Sequence, residues 1–114
     1  MDDCLFCKIL NGEIPSKKIY EDKFTYSFHD IGPQAKAHAL VIPKKHVSGL
    51  AALEELTDQE IAACLHTCHT VAVQLGIAES GYRVVSNSGP DACQTVKHLH
   101  FHVIGGNPLS ERMA

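Results

Sequence analysis

Two hydrophobic periods run through this chain, and each predicts its own kind of element. Phe24, Tyr26 and Phe28 alternate with polar or small residues, the pattern of a strand with one buried face. Ile19-Tyr20-Glu21 reads as a short strand upstream, after Pro15 has forced an extended path. Ala39-Leu40-Val41-Ile42 is apolar without a break and is closed by Pro43, so it reads as a short buried strand. Tyr82 to Asn87 is a further strand, and His98 to Ile104 is the last, ended by Gly105-Gly106. The helical period appears in Ile61, Leu65, Cys68, Ala72 and Leu75. Thr57-Asp58-Gln59-Glu60 opens that helix as a capping box, and Gly76 stops it. A short helix from about Cys4 to Leu10 has Asp2 or Asp3 as its cap and Gly12 as its stop, and Ser48 can cap another through about Leu53. Cys64 and Cys68, one turn apart, read as small core residues, and His66 and His69 as surface ones. The loops between strands are too short for parallel crossovers. The expected fold is α+β, an antiparallel sheet with the long helix on one face, in a single domain over residues 1–114.

Composition narrows the setting. A chain of 114 residues, 45% hydrophobic, buries enough surface to fold without disulfides. Its net charge of −3 supplies no basic field for nucleic acid or an anionic membrane, and neither is expected as a partner. No stretch approaches the roughly 18 apolar residues of a membrane span. The acidic opening Met1-Asp2-Asp3 does not look like a secretory signal, so a cytoplasmic location is expected. Five cysteines, Cys4, Cys7, Cys64, Cys68 and Cys93, are an odd count that argues against a disulfide framework there.

The last strand carries the candidate chemistry. Side chains on a strand alternate, so His98, His100 and His102 share one face, about 7 Å apart, while Leu99, Phe101 and Val103 face the core. Neighbouring imidazolium ions repel, so most of the trio is expected to be neutral at pH 7, fit to act as nucleophile or metal ligand. Cys4 and Cys7 on the first helix, His46 after the third strand, and His98 offer two thiolates and two imidazoles, a closed set for a structural zinc. Two free thiols near a terminus are the competing reading, and the residues alone leave both open. His100, in mid-strand, is the candidate nucleophile. Asn87, Gln94 and Thr95 are donors able to hold phosphate oxygens. Imidazole attacks phosphorus and leaves it readily, which suits a two-step transfer. The chain has no Walker-type glycine loop and no acid cluster for magnesium, so chemistry at phosphorus is expected to need no metal.

His98-Leu99-His100-Phe101-His102-Val103-Ile104 matches the H-φ-H-φ-H-φ-φ motif (φ apolar), and through it the chain resembles the histidine triad family. Phe28-His29-Asp30-Ile31, Leu40 to His46, and Gln94-Thr95-Val96 look like family segments in the family's order. The length and the Val103-Ile104-Gly105-Gly106 ending resemble the Hint branch, the purine nucleoside phosphoramidases. The resemblance implies a five-stranded antiparallel sheet with one long and one short helix, continued across a homodimer into ten strands. It implies binding of purine nucleoside monophosphates and hydrolysis of the P–N bond of 5′-phosphoramidates such as AMP-lysine, with aminoacyl-adenylates as further substrates.

Residue by residue, the resemblance makes His100 the nucleophile, with its other ring nitrogen donating to a backbone carbonyl. It puts His102 on the phosphate, His38 beside it as a further active-site histidine, and Thr95 near the leaving amine. Asn87 and Gln94 would lie on the phosphate side, and Asp30 would accept from the ribose hydroxyls. Leu5, Phe6, Ile9, Phe28 and Ile31 would wall the purine. Cys4, Cys7, His46 and His98 match the zinc ligands of family members that carry C-x-x-C. Ala92-Cys93 stands where the family often has Gly-Gly, which implies a stiffer phosphate loop. Thr95 replaces the commoner serine, and the tail after Gly106, a variable region that shapes leaving-group preference, leaves that preference open. Two other functions compete: a dinucleoside polyphosphate hydrolase, and a nucleotide-binding regulatory module with vestigial catalysis.

Overall fold

The computed structural model describes residues 3–112. Its elements in chain order are α1 (Leu5–Leu10), β1 (Lys18–Glu21), β2 (Thr25–His29), β3 (Ala37–Pro43), a 3-10 turn (Leu50–Glu55), α2 (Asp58–Gln74), β4 (Tyr82–Val85), a 3-10 turn (Pro90–Ala92) and β5 (Phe101–Gly105). All strand pairs are antiparallel, in the order β1-β2-β3-β5-β4. This is the expected α+β architecture: a five-stranded sheet with one long and one short helix. No described helix is long and apolar enough to cross a membrane.

β3 is the middle of the sheet, and its unbroken apolar run has a simple cause. Ala39 and Val41 pack toward α2 with Leu99, Phe101 and Val103. Leu40 and Ile42 face the other way, into a second cluster with Phe6, Ile9 and Phe28. A strand covered on both faces has no polar side to show. The alternation in β5 is equally direct: the apolar residues go under α2, and the imidazoles go to the α1 face.

α2 opens on the expected box. Thr57 Oγ1 accepts from the Glu60 N–H at 3.1 Å, and Glu60 Oε1 accepts from the Thr57 N–H at 2.8 Å. Its core stripe is Cys64, Thr67, Cys68, Val71 and Ala72. Leu65, expected in that stripe, is 54% exposed. Thr67 takes the inner position because its hydroxyl meets Thr25 Oγ1 at 2.7 Å. Cys64 and Cys68 are buried as expected, and burial pushes both thiols up to about 12.

Caps and boundaries differ from the expectation at several points; β1 begins at Lys18, β2 at Thr25 and β3 at Ala37, rather than at Ile19, Phe24 and Ala39. The cap of α1 is the Cys4 sulfur, 3.4 Å from the Cys7 N–H, not Asp3; Asp2 lies outside the described residues. The segment after β3 is a 3-10 turn kinked at Ala52, entered from Gly49 without a side-chain cap, so Ser48 is not its cap. β4 stops at Val85. β5 begins at Phe101 rather than His98, because the backbone before it pairs elsewhere: Leu99 N–H donates to Val47 O at 2.8 Å. Gly106 ends β5 at φ 89, where a Cβ would sit 3.0 Å from Lys36 Cβ and 3.2 Å from Ala37 N. Only glycine fits there.

Candidate active site and metal centre

The α1 face holds a cleft of about 920 Å³. Leu5, Phe6 and Ile9 of α1 form one wall, with Phe28 of β2 and Leu40 of β3 behind them. Phe6 meets Phe28 edge-on, ring centres 5.6 Å apart. Ile31 stands fully exposed at the mouth beside Asp30. Thr95, Val96, His100 and His102 also line it, with a ring nitrogen of His102 within 4.8 Å of an Asp30 carboxylate oxygen. An apolar slot edged by a few polar groups suits a flat ring carrying a charged substituent.

The hydrogen bonds fix which ring nitrogen of each histidine carries its proton. His100 is buried, and its Nδ1 lies 2.7 Å from the His98 carbonyl oxygen. A carbonyl only accepts, so Nδ1 bears the hydrogen and Nε2 keeps its lone pair. His38 Nδ1 accepts from the Gln34 N–H at 2.9 Å, so a neutral His38 carries its hydrogen on Nε2. That nitrogen is 2.8 Å from His102 Nδ1. His102 Nδ1 is therefore the acceptor, and its Nε2 bears a hydrogen. The sheet makes this contact: His102 pairs with Leu40, and His38 is two residues along β3 on the same face.

Both rings are held neutral. Burial, then His100 and His38 beside it, push His102 down to about 4. Burial lowers His38 too, outweighing the opposing pull of Asp30. The 3.4 Å approach of His38 Nε2 to Asp30 Oδ2 is thus not an ion pair. Asp30 Oδ1 accepts from the Gly32 N–H at 2.7 Å. Asp30, His38 and His102 could be read as a second metal site. The proton on His38 Nε2 argues against it, since a ligating nitrogen needs its lone pair.

The other cluster fits a metal. The ligand atoms of Cys4, Cys7, His46 and His98 lie within 4.8 Å of one another. Cys4 Sγ is 3.4 Å and Cys7 Sγ 3.6 Å from His98 Nδ1; Cys7 Sγ is 3.3 Å, and His98 Nδ1 3.1 Å, from His46 Nδ1. Bond lengths of about 2.3 Å to sulfur and 2.0–2.1 Å to nitrogen put tetrahedral ligands roughly 3.3–3.8 Å apart. His98 Nε2 donates to Pro43 O at 2.9 Å, leaving the Nδ1 lone pair for a cation. Burial, reinforced by Cys4, pushes the Cys7 thiol up to about 11, so binding a cation there must release its proton.

The structure brings Leu5, Phe6, Ile9, Phe28, Asp30, Ile31, Thr95, His100 and His102 together around the cleft. His38 stands behind His102. Asn87 and Gln94 stand outside the lining. The Gln94 amide is engaged elsewhere: Oε1 accepts from the Gly89 N–H at 2.9 Å, and Nε2 donates to Ser48 O at 2.6 Å and Val96 O at 3.1 Å. Ser16 and Lys17 line the cleft without having been singled out. They lie in an irregular segment where periodicity gives no signal. Leu40 was missed as a wall residue, though its alternation with Val41 could have found it.

Residues 11–109 match the HIT domain. The chain belongs to the HIT family. A HIT family hydrolase from Clostridium thermocellum superposes with a TM-score of 0.91 at 38% identity, over 100% of this chain and 99% of that one. A histidine triad nucleotide-binding protein from Candida albicans gives 0.82 at 36% identity, over 98% and 87%. A 14 kDa zinc-binding protein of Zea mays is 44% identical over 108 residues, covering 93% of this chain and 84% of that protein. The match to HIT proteins thus spans the sheet, the cleft and the thiol–imidazole cluster together.

Proposed function

We propose that this HIT protein is a Hint-like, purine nucleotide-binding hydrolase that cleaves the P–N bond of nucleoside 5′-phosphoramidates of the AMP-lysine type. The observation that carries the reading is His100: its Nδ1 is tied to a carbonyl, which leaves the lone pair on Nε2 of a side chain that lines an apolar cleft. The HIT hydrolase and nucleotide-binding neighbours support it.

The purine lies between Phe6, Ile9, Phe28 and Ile31, and the Asp30 carboxylate accepts from the ribose hydroxyls. His100 Nε2 attacks the α-phosphorus. The new N–P bond forms as the P–N bond to the amine breaks. The His102 Nε2–H donates to a phosphoryl oxygen, and strengthens there as negative charge builds. Thr95 donates on the leaving side, and the departing amine takes up a proton from solvent. Water then attacks the same phosphorus, the His100–phosphorus bond breaks, and the monophosphate leaves with the imidazole restored. Cys4, Cys7, His46 and His98 hold a zinc ion, which supplies a cross-link and, with four protein ligands, no open position for chemistry. The plant relative's zinc-binding name and the donor set support this part. Among the described residues β4 ends the sheet with no strand on its outer edge and Val84 39% exposed, which supports a homodimer joined there.

The test is His100→Ala with AMP-lysine as substrate. Turnover is expected to fall by at least 10³-fold while AMP still binds. Rapid quenching of the unaltered protein is expected to trap adenylylated His100. Normal turnover by the variant refutes the mechanism.

A further inference from the structure

The thiol–imidazole cluster and the cleft share their supports. α1 is only six residues long, below the roughly 12–15 at which isolated helices hold in water. Its two thiols, Cys4 at the cap and Cys7 one turn on, reach the cluster. The residues between and beside them, Leu5, Phe6 and Ile9, face the cleft. Phe6 touches both sides at once, ring centres 5.9 Å from His98 and 5.1 Å from His100. His98 is shared in a second way. Its Nδ1 points into the cluster, its Nε2–H anchors to Pro43 O, and its carbonyl takes the His100 Nδ1–H. Turning its peptide would release the bond that sets the tautomer of His100.

We infer that occupancy of the Cys4–Cys7–His46–His98 centre controls the neighbouring cleft: metal held there clamps α1 and the His98 peptide, and so sets the affinity for nucleotide and the aim of His100. This rests on the reading of the cleft as a nucleotide site. Without the clamp, α1 keeps its apolar contacts with Phe28 and Leu40 but loses its fixed position. The wall it supplies then has to be ordered each time a ligand enters, which weakens binding. The control is local, because none of the four ligands lies on α2 and Cys4 packs with Phe6 and Phe28 on the opposite face of the sheet.

The experiment compares zinc-loaded protein with protein stripped by a chelator that is then removed. AMP affinity is measured by calorimetry, amide exchange along both forms, and the ring ¹⁵N shifts of His100 by NMR. Stripping is expected to weaken AMP binding at least tenfold and to speed exchange in residues 5–10, while α2 and β3 stay protected. The Nδ1–H signature of His100 is expected to fade. In zinc-loaded protein, Phe6→Ala is expected to weaken AMP binding comparably with zinc content unchanged, which ties the effect to the wall. Equal AMP affinity in the two forms overturns the inference. So does a preparation that takes up no zinc, or global unfolding on stripping. Failure of AMP to bind the zinc-loaded protein would sink the nucleotide reading itself, an outcome distinct from equal binding.

Discussion

Replacing Gln94 with alanine is expected to loosen the loop before β5 rather than to disable a substrate contact. The amide makes three hydrogen bonds, to Gly89 N–H, Ser48 O and Val96 O, at 2.9, 2.6 and 3.1 Å. Each is worth about 0.5–1.5 kcal/mol net. The Ser48 bond is exposed and belongs at the low end, so the sum is about 2 kcal/mol. For a domain of this size that lowers Tm by about 8 °C. Calorimetry at fixed protein concentration and metal content reads the shift. Gln94→Glu keeps the acceptor for Gly89 but turns a carboxylate toward two carbonyl oxygens, so it should cost more than alanine. A Gln94→Ala protein with unchanged Tm and a tenfold higher KM for AMP-lysine would refute the reasoning, because the side chain would then be spending its bonds on substrate.

Two further predictions concern pH and backbone. His102 titrates near 4 when folded and at 6.5 in an unfolded chain, so the unfolded state binds more protons between those values. Its contribution is complete above pH 6.5 and is lost as pH falls toward 4; denaturation midpoints across that window should fall less steeply in His102→Asn than in the parent. Cys93 is the one non-glycine among the described residues with positive φ, at 57°. That conformation costs about 1–2 kcal/mol for a residue with a Cβ, against the 0.5–1 kcal/mol of extra chain entropy that glycine loses on folding. Cys93→Gly should therefore raise stability by up to about 1.5 kcal/mol, and a lower Tm would contradict the strain.

Much of this was legible because short-range rules governed it. The capping box before α2 and the three imidazoles on one face both depend on neighbours a few residues away; the alternation in β2 misled, because Thr25 and Ser27, expected on an open face, are fully buried, Thr25 against Thr67 of α2. The parts that were not legible depend on distant partners. Leu65 had the right spacing for the core, but Thr67 won the inner position through a hydroxyl contact with Thr25, 42 residues back. The early start predicted for β5 failed because the Leu99 N–H bonds to Val47 O instead of extending the ladder. The bonds of the Gln94 amide were not legible either, since its partner Ser48 lies 46 residues away. The cap of α1 escaped notice because a thiol is a rare choice for that position; here the same sulfur also faces His98.

β3 has a property that sets how this chain can vary. Its successive side chains belong to different compartments: His38, Leu40 and Ile42 to one, Ala39 and Val41 to the other. Exchange of one residue for another of similar bulk disturbs one compartment at a time. Gain or loss of a single residue would swap them wholesale, sending the imidazole under α2 and bare methyl groups to the reactive side. The strand's length is therefore far less free to drift than its spelling.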